Sequence, residues 1–461
     1  MKITSLFIIQ KCKAMIILAM CFIYMLYFFY PAESLFYLLS MFGFVVFFIS
    51  VTSVRGIPKY ITLTLLSLGC IINITSKEQP LIASLEGIQQ NLPLLTLIIL
   101  VPLLSIPLKT GGYFASLNYF MKKWENNPRL AFFGLSSFIA LISPILNMGT
   151  VKMVHEMVQK LNISPKILGK SYLIGFTSAM LWSPYFASVA LVLHQVGGEI
   201  SRYIGIGLSV AVIQLGIGNL LFNSSVKEKL SKKEKPRPTQ VEVEENTSFH
   251  LRKIGKLVGM LVTLIISLLV LEYITSISML MLVSIIAITM PILWGILTFK
   301  WRKLLLEWKN YSRSVSLMDN EITLFLSAGL FGRALTNTTF ASYIQTFLLG
   351  FAEHSLLLFV LIIFGLVLVC AFIGIHQIVV IPILAAQVSA SNLGISPEFL
   401  ALIFIMSWSM TAVLCPLNAI NIIVSKCLSR NGLTIGFRWN GTYIMSVVSL
   451  VIVVITVYGF R

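Results

Sequence analysis

The sequence predicts an all-α polytopic membrane protein of about eleven transmembrane helices plus two re-entrant helical hairpins, arranged as two inverted-topology repeats. Three observations carry this expectation. Of 461 residues, 57% are apolar and 11% charged, against about 25% charged in an ordinary soluble domain. Apolar runs long enough to cross a bilayer recur along the whole chain. Finally, residues 161–192 (LNISPKILGKSYLIGFTSAMLWSPYFASVALV) return as 393–424 (LGISPEFLALIFIMSWSMTAVLCPLNAINIIV) at a constant offset of 232, with eight identities in 32 positions.

That echo includes a proline inside each apolar run, Pro184 and Pro416. A proline within a helix removes a hydrogen bond and frees a carbonyl. In lipid such a break is tolerated only where protein or a wet cavity covers the backbone. Two interrupted spans at matching places in two halves are therefore the sequence signature of a transporter binding site.

In chain order, 1–33 is an extra N-terminal transmembrane helix with its span at 14–30. Lys2, Lys11 and Lys13 precede it as in a signal peptide, but no small-residue cleavage pattern follows, so the helix is expected to be retained. The first repeat occupies 34–223, with spans at 34–54, 58–75 and 91–108, an amphipathic piece at 113–124, a hairpin at 130–160, a broken helix at 169–194 and a span at 201–223. Residues 224–253 hold eight Lys/Arg and five Glu and read as a polar cytoplasmic linker. The second repeat, 254–461, has spans at 254–272, 275–298 and 319–339, an amphipathic piece at 340–352, a hairpin at 355–390, a broken helix at 397–424 and a last span at 439–459.

Each interrupted stretch is too long for one span and breaks in its middle, which fits a segment that enters halfway, turns and leaves on the same side. The charges agree. Seven Lys/Arg lie from Lys122 to Lys170, and none from Ala334 to Ser425. With a cytoplasmic N-terminus, every basic cluster then falls inside, as membrane orientation requires. The expected location is a cell membrane, in a bacterium the plasma membrane. The net charge of +17 is explained by these loops rather than by nucleic acid. The six cysteines show no ligand spacing, so neither a disulfide framework nor a structural metal site is expected.

The first hairpin tip carries Ser143, Pro144, Asn147, Gly149 and Thr150. Proline and glycine break the helix there, and the polar residues offer oxygens and donors at membrane depth. The second tip carries His376 and Gln377, a possible proton carrier and a possible solute contact; a packed neutral histidine reads equally well. The broken helices add Thr177, Ser178, Ser183 and Pro184 in one half and Ser407, Ser409, Thr411, Pro416, Asn418 and Asn421 in the other. Carbonyls freed at the prolines, with these oxygens, would suit a small hard cation, and helix N-termini at the breaks would suit an anion. Serine and threonine within spans also bond back to their own helix. Arg333, inside a predicted span, either contacts an anionic solute or reaches the interface or a backbone carbonyl. His155-Glu156 opens like a zinc-protease motif, but Gln159 stands where the second histidine belongs. No nucleophile set or carboxylate pair is present, so an enzyme is not expected.

The two repeats, paired hairpins and paired broken helices resemble the ion transporter superfamily of secondary carriers. That group includes divalent anion/sodium symporters, sodium/proton antiporters and arsenite exporters. The resemblance covers nearly the whole chain after the first span. It implies a solute held between the four tips, Na+ or H+ as coupling ion with no other cofactor, a homodimer, and elevator-type alternating access. The dicarboxylate branch carries Ser-Asn-Thr at both tips; here Ser143, Asn147 and Thr150 are spread out, and the second tip has His376 and Gln377. The function expected is ion- or proton-coupled transport of a small anionic solute. The alternatives are an antiporter or exporter, or a flippase handling cell-envelope lipid.

Overall fold

The computed structural model describes residues 2–75, 84–230 and 247–458. These form twenty-two α-helices, with no strand among the described residues. The first half contains α1 (Lys2–Phe29), α2 (Glu33–Val51), α3 (Ile57–Thr75), α4 (Ser84–Gln89), α5 (Leu92–Leu100), α6 (Ser105–Gly111), α7 (Tyr113–Trp124), α8 (Pro128–Leu146), α9 (Gly149–Val158), α10 (Pro165–Met180), α11 (Ala187–Val196) and α12 (Ile200–Leu230). The second contains α13 (Thr247–Thr275), α14 (Met279–Thr298), α15 (Trp301–Val315), α16 (Asp319–Leu335), α17 (Thr339–His354), α18 (Leu356–Ile373), α19 (Gln377–Ala385), α20 (Pro397–Leu414), α21 (Ala419–Leu428) and α22 (Asn440–Tyr458). A π-helical turn, Thr434–Trp439, leads into α22.

Eleven segments among the described residues are long and apolar enough to cross a membrane, so the chain is an all-α polytopic membrane protein. The number equals the one expected, but the membership differs. The first arms of both expected hairpins, Pro128–Leu146 and Leu356–Ile373, qualify by length and composition. Two expected spans drop out: 319–339 is the 17-residue α16, and 169–194 is divided between α10 and α11, none of which reaches that length. The span expected at 91–108 is built from pieces, because Pro93, Pro102 and Pro107 withhold N–H groups and a 3₁₀ turn joins α5 to α6. The linker expected at 224–253 is narrower: α12 continues through Leu230 and α13 begins at Thr247, while 231–246 lie outside the described residues.

The chain divides into two compact units. The first comprises Met1–Ile106, Thr275–Gly350 and Gly374–Ser389. Its central helix is α16, which packs on α2, α3, α4, α5 and α19. Asn91 Nδ2 donates to the Phe325 carbonyl at 3.1 Å, and Leu65, Ala328 and Val379 form an apolar cluster from α3, α16 and α19. At the start of α16, Asp319 pairs with the buried Lys13 of α1, and near its end Arg333 pairs with Glu86 of α4.

The second unit comprises Pro107–Ile274, Phe351–Ile373 and Ala390–Arg461. Its densest packing is between α8 and α10. Gly175 permits it: a Cβ there would stand 2.4 Å from the Ser136 carbonyl oxygen, so only glycine lets the two backbones come this close. The first expected hairpin is α8, a break at Asn147–Met148, and α9. The second is α18, a break at Gly374–His376, and α19; α18 belongs to the second unit and α19 to the first.

Candidate functional site

The two broken helices are built alike. Ser164 and Ser396 cap the first halves, each accepting the N–H three residues on at 3.4 and 3.3 Å, and Pro165 and Pro397 follow at the first helical position, where a missing N–H costs nothing. Helix resumes at Ala187 and at Ala419, 232 residues apart, and each second half is 10 residues long.

The second helix, within α20, meets the first near its break. Leu181 N–H, which would close the α-helical bond to Thr177, donates to Ser178 at 3.4 Å instead. The carbonyl of Thr177 is thereby released, and Ser409 Oγ donates to it at 3.3 Å. Thr177 and Ser409 stand 232 positions apart, the offset of the internal repeat.

The other carbonyls at the first break are also taken. Pro184 has no N–H for Met180, and Ser188 Oγ donates to that carbonyl at 3.1 Å. The Leu181 carbonyl accepts from Tyr203 Oη at 2.6 Å, and Ala179 accepts from Ser183 N–H at 3.3 Å. At the second break, Asn421 Nδ2 donates to Val413 at 2.7 Å and to Gly432 at 3.3 Å, while its Oδ1 accepts from Ser425. The π-turn seals this side: a Cβ at Gly436 would lie 2.7 Å from the Val413 oxygen. Five released or end-of-helix carbonyls (Thr177, Ala179, Met180, Leu181 and Val413) thus already accept protein donors. The cation cage expected from freed carbonyls is correspondingly weakened.

The hydroxyls sort into two groups. Thr177, Ser178 and Ser407 donate back to Leu173, Ile174 and Ile403 at 2.8 Å, the ordinary behaviour within a helix. Ser143, Thr150 and Thr411 do not. All three are fully buried, and their hydroxyls have no protein partner. Buried polar atoms are nearly always paired, and leaving one unpaired costs about 1–3 kcal/mol. Ser143 is on the last turn of α8 and Thr150 on the first turn of α9, so the first tip presents two such hydroxyls. Between them Asn147 adopts φ +49° and ψ −134°, a conformation that L side chains rarely adopt, and Gly149 has open space where a Cβ would be.

Asn418 is the N-cap of α21, its Oδ1 accepting Ile420 N–H at 3.1 Å. Ser183 is buried and accepts Tyr185 N–H at 3.3 Å. Pro416 packs against Gly432. His376, Gln377 and Arg333 belong to the first unit. His376 is the N-cap of α19: its Nδ1 accepts Ile378 N–H at 3.1 Å, which requires an unprotonated Nδ1. Gln377 is buried on the first turn of α19. The guanidinium of Arg333 is paired with the Glu86 carboxylate, a partner that sequence reasoning did not identify.

Two further residues join the site. Gln214 of α12 is fully buried and donates from Nε2 to Thr177 Oγ1 at 3.0 Å, while its Oε1 is unpaired. Tyr443 of α22, 1% exposed, places its phenol beside Thr177 and Gln214. A lone amide in the apolar run 201–223 was the available signal for Gln214. Nothing local marks Tyr443.

No protein-family model and no curated protein matches the chain. Among solved structures, the Alcanivorax borkumensis YdaH transporter aligns with a TM-score of 0.57 at 12% identity, covering 87% of this chain and 98% of that one. The fold is therefore shared with a membrane transporter. The Neisseria gonorrhoeae MtrF structure, described as one of a class of antimetabolite efflux pumps, aligns with a TM-score of 0.49 at 13% identity over 85% of each chain.

Proposed function

We propose that the chain is a secondary active transporter of a small anionic solute, driven by Na+ or H+ and working by elevator-type alternating access, and that it belongs with the ion transporter superfamily. The observation that carries this reading is the meeting of two broken helices at residues one repeat apart, Thr177 and Ser409, within a unit that also holds buried, unused hydroxyls at Ser143, Thr150 and Thr411. Hydroxyl and amide donors hold an anion through its oxygens, and the N-termini of α9 and α11, neither capped by a side chain, add partial positive charge. The fold shared with the YdaH transporter supports the same reading.

In this scheme Thr411, Ser143 and Thr150 touch the solute, Gln214 and Tyr443 orient the Thr177 turn, and Asn421, Ser188 and Tyr203 hold the breaks open. The test is a thermal-shift screen of small carboxylates, phosphate and sulfate on the purified protein, with and without sodium, followed by counterflow of any stabilising solute in proteoliposomes. Solute-specific counterflow that depends on an ion gradient is the expected result. Absence of counterflow for every stabilising solute would overturn the transporter reading.

A further inference from the structure

The first turns of α10 carry two lysines and no acid. Lys166 stands at the second helical position, exposed, and Lys170 one turn on. Cations are disfavoured at a helix N-terminus, where the backbone already presents partial positive charge. Lys170 is nevertheless 8% exposed, and no acceptor reaches it among the described residues. Glu125 accepts the N–H of Asn162, and Glu156 is exposed. Residues of inward loops are basic as a rule, but those charges stand in water. Lys170 differs in that its stem is buried, so its ammonium is held in one place rather than ranging through solvent.

The surroundings indicate what supplies the counter-charge. Helix α12 serves as a ruler along α10: Gln214 meets Thr177, and Gly218 lies against Ile174. Continued by one helical turn, that register sets Phe222 opposite the turn of Lys170, and Phe222 stacks on Phe132 of α8 at 4.2 Å. Leu130 and Phe133, beside Phe132, are 41% and 53% exposed. The Trp439 ring lies against Gly169, next to Lys170. Counting turns from these contacts sets two ammonium groups, outward-facing apolar side chains and a half-buried tryptophan, the residue type enriched where membrane meets water, at about one level of the second unit.

We propose that Lys166 and Lys170 hold the phosphate of an anionic phospholipid headgroup, with the acyl chains lying along Leu130 and Phe133. A phosphate offers oxygens to both ammonium groups, while free phosphate would leave the exposed apolar side chains without a role. The site lies about 10 Å along α10 from Thr177, too far to share a ligand with it.

The experiment uses the full chain, purified and delipidated in neutral detergent. Phosphatidylglycerol, phosphatidylcholine and inorganic phosphate are titrated separately, with melting temperature as one readout and native mass spectrometry of bound lipid as the other. Phosphatidylglycerol should bind with defined stoichiometry and raise the melting temperature, with phosphatidylcholine and phosphate far weaker. Lys170→Gln and Lys166→Gln should each weaken phosphatidylglycerol binding about tenfold, the effect of one lost charged hydrogen bond. Lys303→Gln, an exposed charge of the other unit, should not. If Lys170→Gln does not fold, the exposed Lys166 variant carries the test. Equal binding of the two lipids, equal loss in the Lys303 variant, undiminished binding in both α10 variants, or full reproduction by phosphate would each overturn the proposal.

Discussion

At the scale of single residues, two polar side chains of the second broken helix do opposite work. Asn421 spends its whole amide on the backbone, donating to Val413 and Gly432 and accepting from Ser425. Asn421→Leu leaves two buried carbonyls short of a donor, at about 1–3 kcal/mol each, so the melting temperature and the yield of folded protein should both fall. Thr411 spends nothing. Thr411→Val keeps the shape and removes an unpaired hydroxyl, so stability should hold or rise while solute binding weakens about tenfold. Stable protein with unchanged binding would remove Thr411 from the site. Asn147 is a third kind of case. Its positive φ is strained for any residue with a Cβ, by about 1–3 kcal/mol. Asn147→Gly should therefore melt higher than Asn147→Ala. If both lose solute binding equally, the amide itself is the contact; if glycine binds normally, only the turn matters.

At the scale of elements, what was legible in the sequence was whatever is local. The paired prolines located both breaks, the Ser-Pro pairs located both helix starts, and Pro144 with Gly149 located the first tip to within a residue or two. What was not legible depends on partners far along the chain. Lys13 reads as a signal-like charge ahead of an apolar run, yet its partner Asp319 is 306 residues away. Arg333 reads as a solute contact or as a cation reaching the interface or a backbone carbonyl, and its partner Glu86 is 247 residues away. Gln214 and Tyr443 are single polar residues in apolar helices, and only the antiparallel run of α12 along α10 brings Gln214 to Thr177. The apolar run 91–108 reads as one continuous helix; it does lie in a membrane-length apolar segment, but prolines and a 3₁₀ turn divide it into shorter helices. Two substitutions test elements as units. Gly175→Leu forces a side chain against the Ser136 carbonyl and should separate α8 from α10, costing about 1–3 kcal/mol or more, read as a lowered melting temperature. His376→Asn keeps an N-cap for α19 while His376→Ala loses one, typically about 1 kcal/mol. If His376 serves only as a cap, the asparagine variant should match wild type in both stability and the pH dependence of transport; altered pH dependence with stability intact would restore the proton role.

At the scale of the whole molecule the open question is orientation, and the distribution of charge makes it testable. The 92 residues from Ala334 to Ser425 contain no lysine or arginine, whereas seven fall from Lys122 to Lys170. Basic residues near span ends are retained on the cytoplasmic side. If the two halves are repeats, their opposite basic content calls for opposite orientations, as an inverted repeat requires. Arg252, exposed at the start of α13, should face the cytoplasm, and Glu353, exposed near the end of α17, should face outward. Single cysteines at these positions, in a background lacking the six native cysteines, can be labelled with a membrane-impermeant maleimide in intact cells and in inverted vesicles. Glu353→Cys should label in cells and Arg252→Cys only in inverted vesicles. The consequence reaches the site directly. With opposed halves, Thr177 and Ser409 approach each other from opposite leaflets, and their contact marks mid-membrane depth. If both cysteines label from one side, the halves are parallel, the depth assignment of that contact lapses, and alternating access by exchange of inverted repeats has no structural basis in this chain.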